Sequence, residues 1–250
     1  MSALFSFNSL VIIALSILPG LVWLNFYLKQ DKRPEPLQWL LLVFCIGAFM
    51  TFPAAYLEHY LDWLFNFKAL RDTPLASSYH FWNVFVFLFL AAAVEEILKF
   101  LGVFVSAFQN KKIFNESVDA MIYLIVAAIG FSTSENLMYS STSLSGGAFY
   151  LLFVVAFIRF VGATFMHTLS SGLVGYGLGW STFYGHRSKL LYGFIAAILL
   201  HTFYNFLIIL NAWLFAFIIF GLFLVGIIVL HEFNVLKIKS GQYIDSENKS

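Results

Sequence analysis

Apolar positions in this chain come in long blocks separated by short polar stretches. A helix needs about 20 mostly apolar residues to cross a bilayer. Seven blocks meet that length and predict spanning helices at about 5–28, 37–58, 81–108, 118–139, 148–180, 190–210 and 212–231. The expected fold is therefore all-α, a polytopic membrane helix bundle of about seven transmembrane helices. The fifth block raises the count to eight if it is two helices. At about 1.5 Å per residue it would extend about 50 Å, against a hydrocarbon core of about 30 Å. It has to tilt, break or run on past the membrane, and Gly162, Gly172, Gly175, Gly177 and Gly179 suit a break or close helix packing.

Composition agrees with the blocks. The chain is 61% hydrophobic and 11% charged, where a soluble domain is nearer about 45–50% and about 25%. The lipid bilayer is thus its first partner. A net charge of +1 and the lack of basic clusters with interleaved aromatics speak against nucleic acid. The single cysteine, Cys45, excludes an intramolecular disulfide and a cysteine-based zinc site.

The basic residues set an orientation. Lys29, Lys32, Arg33, Lys111, Lys112, Arg187, Lys189, Lys237, Lys239 and Lys249 fall in alternate connections, and the other connections hold only Lys68 and Arg71. Cytoplasmic loops carry the excess of Lys and Arg. The expected topology has the N-terminus outside and the C-terminus cytoplasmic. Residues 1–231 form one transmembrane domain, and 232–250 a polar cytoplasmic tail expected to be loosely ordered.

The third block, "AAAVEEILKF" at its centre, holds Glu95, Glu96 and Lys99. Each mid-span charge costs about 2.5–3.5 kcal/mol to insert. The three must face the bundle interior and find partners. With Glu95 at zero, a helix puts Glu96 near about 100° and Lys99 near about 40°, so Lys99 lies between the two carboxylates. One lysine neutralises one glutamate; the other is a candidate general base. Intramembrane ionisable residues mark function by default.

Three more blocks carry polar groups: Glu135 and Asn136; Arg159, His167, Ser170 and Ser171; His201 and Asn205. His167–Ser171 and His201–Asn205 are each i, i+4 pairs. Taken singly, such residues usually serve as interhelical hydrogen-bonding groups; four helices carrying them can line one polar cavity. Carboxylates, imidazoles and an amide without a thiol suit activation of water. One glutamate would take the proton, and His201 with Asn205 would donate to the developing oxyanion. Glutamate and histidine are also zinc ligands, His₂Glu being a catalytic set. "HEFNV" at 231–235 is not HExxH, since Val235 stands where the second histidine belongs.

These motifs resemble the PrsW family of intramembrane proteases, within the wider group of CAAX-processing and bacteriocin-processing proteases. The matching residues are Glu95-Glu96-x-x-Lys99, Phe131-x-x-x-Glu135-Asn136, Arg159 to His167, and His201-x-x-x-Asn205, with "FYLKQDKRPEPLQWL" resembling the basic loop after the first helix. The resemblance implies cleavage of single-span membrane proteins, such as anti-sigma factors, on the extracytoplasmic side of a bacterial plasma membrane. It implies catalytic roles for Glu95, Glu96, Glu135, His167, His201 and Asn205, supported by Lys99, Asn136, Arg159 and Ser171. Where the wider group has EExxxR and FxxxH, this chain has EExxK and FxxxE, so Glu135 replaces a histidine and His167 is expected to supply the imidazole. If a divalent metal such as zinc takes part, its ligands are expected among Glu95, Glu96, Glu135, His167 and His201. Two other classes use the same residue types: a proton- or ion-coupled transporter, and a non-catalytic binding or immunity protein of the same fold.

Overall fold

The structure, a computed structural model, describes residues 7–30, 33–66, 78–145, 150–210 and 214–247. Among the described residues every regular element is helical. The helices are α1 (Phe7–Leu28), α2 (Leu37–Phe65), α3 (Ser78–Val105), α4 (Asp119–Ser145), α5 (Tyr150–Arg159), α6 (Phe165–Tyr184), α7 (Arg187–Leu210) and α8 (Phe215–Glu247). Stretches within α1, α2, α4, the α5–α6 run, α7 and α8 are long and apolar enough to cross a membrane. The remaining long helix, α3, carries the three central charges. The chain is a polytopic helical bundle.

The fifth block is neither one regular helix nor two separate ones. A five-residue π-turn, Phe160–Thr164, joins α5 to α6 without a break. Elsewhere α2 runs seven residues beyond the expected end at 58.

α4 forms the centre. From Ser117 to Ser132 every residue is buried, as expected for a helix that is apolar on all sides. It packs against α1, α2 and α6. Two glycines let α2 and α4 cross at backbone contact: a Cβ at Gly47 would meet the Ala127 backbone, and one at Gly130 the backbone of Phe44 and Ala48. Small residues at such crossings are the usual means of membrane-helix packing. Gly130→Ala is expected to push the two helices apart and lower stability by about 1–3 kcal/mol. Unfolding in detergent micelles checks this; an unchanged midpoint would show that the crossing tolerates the methyl.

One end of the bundle gathers the basic connections. Arg33 pairs with Glu116 at 2.9 Å, Lys237 Nζ donates to Gln30 O at 2.9 Å, and Ser117 Oγ meets Tyr184 Oη at 3.1 Å. Asp119 starts α4 by accepting the backbone N–H groups of Asn115 (2.8 Å) and Glu116 (2.6 Å). Lys32 and Lys249 of this basic set, and Lys68 and Arg71 of the opposite one, lie outside the described residues.

The segment after 231 differs from the expected loose tail. α8 continues through Glu247, and Phe233, Leu236 and Ser240 are buried. They lie at i, i+3 and i+7, one face of a helix. Ser240 Oγ sits 2.8 Å from Ser117 Oγ, which fixes this extension against the start of α4.

Candidate active site

Five helices, α3 to α7, and the π-turn bring the intramembrane polar residues to one place. Glu96 is fully engaged. It accepts from Lys99 Nζ (2.6 Å), Ser170 Oγ (2.9 Å) and Ser171 Oγ (3.2 Å), with His201 Nδ1 at 3.0 Å. Lys99 has no exposed side-chain surface. It therefore neutralises Glu96, and the helix geometry that placed it between two carboxylates is resolved in favour of the i, i+3 partner. Ser170 matters as much here as Ser171.

Glu95 is the carboxylate left over. It is buried, and its Oε2 has no hydrogen-bond partner. Two imidazoles face it: His167 Nδ1 stands 3.8 Å from Oε2 and His201 Nε2 3.7 Å from Oε1. Their rings are 4.9 Å apart and nearly perpendicular.

Outer partners fix which nitrogen of each ring carries the proton. An ionised carboxylate only accepts, so His201 must donate its Nδ1–H to Glu96. His167 likewise donates Nε2–H to Glu135 Oε2, 2.9 Å away. Its Nδ1 accepts from Lys99 Nζ at 3.2 Å. The lone pairs of His201 Nε2 and His167 Nδ1 are thus both on the Glu95 side of the rings.

Glu135 is held twice. Arg159 reaches it at 2.9 Å, as does His167. Arg159 Nε also donates to Asn136 Oδ1, while Asn136 Nδ2 donates to Thr164 Oγ1 at 3.1 Å. The π-turn explains how Arg159 and His167 share one acceptor. Eight residues of regular α-helix would leave them about 80° apart. A π-turn absorbs about one residue, which brings them to within about 20° of each other.

The arrangement fits a divalent metal. Ligand atoms of Glu95, His167 and His201 lie within 4.8 Å of one another. His₂Glu is a known catalytic zinc set, and metal-bound histidines are usually oriented by a carboxylate on the other nitrogen, the role Glu96 and Glu135 play here. The unpartnered Glu95 Oε2 supplies the third donor. At His167 Nδ1 a metal would take the place of the Lys99 hydrogen bond. Glu96 and Glu135 serve as orienting groups in this arrangement, and the three inner residues could hold the ion.

Residues 35–231 match the family model described as PrsW family intramembrane metalloprotease. The chain belongs to that family. Three curated relatives of the PrsW-family chain carry the name Protease PrsW. That of Oceanobacillus iheyensis is 28% identical over 201 residues, covering 80% of this chain and 83% of its own length. That of Bacillus subtilis is 26% identical over 218 residues (85% and 90%). That of Clostridioides difficile is 27% identical over 240 residues (94% and 92%). No solved structure matches the chain. As a PrsW-family member it is a multi-pass bacterial membrane protease, and the transporter and binding-protein readings are not favoured.

Asn205 stands apart from the cluster: it is half-buried on α7 one turn from His201, and among the described residues no hydrogen bond joins it to the other site groups. Sequence reading passed over two residues. Thr51 donates to Phe131 O at 3.2 Å, tying α2 to the site wall. Glu58, on α2, hydrogen-bonds to Glu95 and lies within electrostatic reach of Glu135. Glu58 and Glu135 both line a cavity of about 220 Å³ between α2 and α4. The only signal for Glu58 was its spacing of seven residues from Thr51, which places both on one face.

Proposed function

We propose that this protease hydrolyses a peptide bond of single-span membrane proteins, near the membrane boundary opposite its basic end. The observation that carries the reading is the convergence of the unpartnered Glu95 Oε2 with the His167 and His201 ring nitrogens in a buried pocket. The basic connections gathered at one end support a cytoplasmic placement of that end. Glu135 and His201 lie in the halves of α4 and α7 away from that end, which suits cleavage on the extracytoplasmic side.

Glu95 takes the proton from the attacking water and returns it to the leaving amide nitrogen, so the products are one carboxyl and one amine terminus. A divalent metal held by Glu95, His167 and His201 would supply Lewis-acid polarisation of the water and the peptide carbonyl. Glu96 and Glu135 hold the two rings in the tautomers that turn lone pairs toward Glu95, and Lys99 and Arg159 hold those carboxylates. In this tautomer His201 has no proton left to donate at Nε2. The oxyanion therefore falls to the Asn205 amide, whose donors are not used by the cluster.

The test is reconstitution of the purified protein in liposomes with a panel of single-span membrane proteins, with fragments mapped by mass spectrometry. The reading expects new termini close to the outer membrane boundary of at least one of them. No cleavage across the panel, or cuts in the cytoplasmic portions, would contradict it. Asn205→Ala is expected to lower kcat by about 10²–10³-fold, the usual cost of one oxyanion donor, with KM little changed. A rise in KM at constant kcat would assign Asn205 to substrate binding instead.

A further inference from the structure

The cavity between α2 and α4 has an unusual charge for its walls. Ala54, Ala55, Phe131 and Met138 make it mostly apolar, and two carboxylates, Glu58 and Glu135, complete it. It borders the candidate active site: the Phe131 ring lies 5.7 Å from the His167 ring and 5.2 Å from Lys99 Nζ. Glu135 already has the Arg159 guanidinium and His167.

Glu58 has no cationic partner of this kind; its hydrogen bond is to the Glu95 carboxyl. Among the described residues no cationic side chain forms an ion pair with it, and the cation that acts on it from a distance is Lys99, which is bonded to Glu96. A half-buried carboxylate without a cation is costly in a low-dielectric setting. Two walls that each carry a carboxyl group, with an apolar tube between them, suit an incoming positive group.

We propose that this cavity is a substrate side-chain subsite and that Glu58 selects a basic residue, lysine or arginine, next to the scissile bond. The inference rests on the protease reading given above. The apolar walls take the long aliphatic stem, as lysine stems lie along apolar surface elsewhere, and the charged head reaches Glu58. Depth agrees. Glu58 lies within about one and a half turns of the exposed aromatics Tyr60 and Trp63 near the end of α2, and aromatic belts mark the membrane–water interface. Lysine and arginine near the end of a spanning helix snorkel to that same level. α2 also contains Pro53, which withholds one backbone hydrogen bond from the helix beside the cavity.

The test uses synthetic peptides with a leucine–alanine span of about 20 residues and lysine, alanine or glutamate at the outer boundary. Their binding to full-length protein is measured in nanodiscs of phosphatidylcholine, a lipid without net charge. Wild type is expected to bind the lysine peptide about tenfold or more tightly than the glutamate peptide, a difference of about 1.4 kcal/mol. Glu58→Lys is expected to invert that order, and Glu58→Gln to erase it. An unchanged ranking in Glu58→Lys overturns the proposal. If Glu58→Lys does not fold, retention of the full preference in Glu58→Gln overturns it equally. Cleavage of the same peptides is scored separately. A lysine preference in binding that Glu58→Gln removes upholds the subsite even if no peptide is cut, which would count against the protease reading alone. Cleavage with equal binding of all three peptides would sink the subsite and leave the protease reading standing.

Discussion

Glu95→Gln is expected to slow peptide cleavage by about 10²–10⁴-fold, the range of one general acid–base group, while the unfolding midpoint stays close to that of wild type. The two halves of this prediction have separate causes. Glu95 Oε2 has no hydrogen-bond partner, and the nearest ring nitrogens are 3.7 and 3.8 Å away. The hydrogen bond of Glu95 to Glu58 is one the glutamine amide can keep, so little folding energy is lost. The amide of glutamine, however, cannot accept the proton of the attacking water. The neighbouring Glu96 should behave differently. It accepts from a lysine and two serines and orients His201, so Glu96→Gln is expected to lower stability and activity together. Paired measurements of turnover and thermal unfolding on both variants check this. Equal behaviour of the two would mean that the assignment of one free and one structural carboxylate is wrong.

Lys99→Met is expected to destabilise the protein by about 3–5 kcal/mol, the cost of leaving one member of a buried ion pair unpaired. Both side chains of the Lys99–Glu96 pair are without solvent exposure, and their contact is 2.6 Å. Water cannot replace the lost ammonium, and Glu96 would keep a charge with only neutral donors around it. Adding Glu96→Gln to Lys99→Met removes that charge, so the double variant is expected to recover part of the loss. Contacting residues of one network show such coupling, whereas distant ones add. Strictly additive losses in unfolding experiments would show that the pair is not an energetic unit.

The bundle and most of the polar residues that cluster in the candidate site were legible in the sequence for one reason. Charges inside apolar blocks are costly enough to be conspicuous, so Glu95, Glu96, Lys99, Glu135, Arg159, His167 and His201 stood out against their surroundings. What a single helix cannot show is which partner each one takes. Lys99 is near both glutamates in helical projection, and only the serines of α6 and His201 of α7 make Glu96 the engaged one. The π-turn was equally hidden. "FVGAT" contains nothing that a regular helix would refuse, yet without it Arg159 and His167 would point in different directions. Glu58 escaped notice because it stood at the expected end of its block, where a charge reads as an interfacial residue; α2 in fact runs on to Phe65. The stretch after residue 231 was misread for a related reason. Its polar composition masked the buried series Phe233, Leu236 and Ser240.

The central claim is that Glu95, His167 and His201 form one hydrolytic centre. Single-turnover cleavage by Glu95→Gln, His167→Ala and His201→Ala, alone and in pairs, tests it most directly. Groups that act as a unit are strongly non-additive, so one loss is about as damaging as several. Each single variant is expected to lose most of the activity, with the paired variants falling little further. Losses that multiply from one substitution to the next, or full turnover in any single variant, would contradict it.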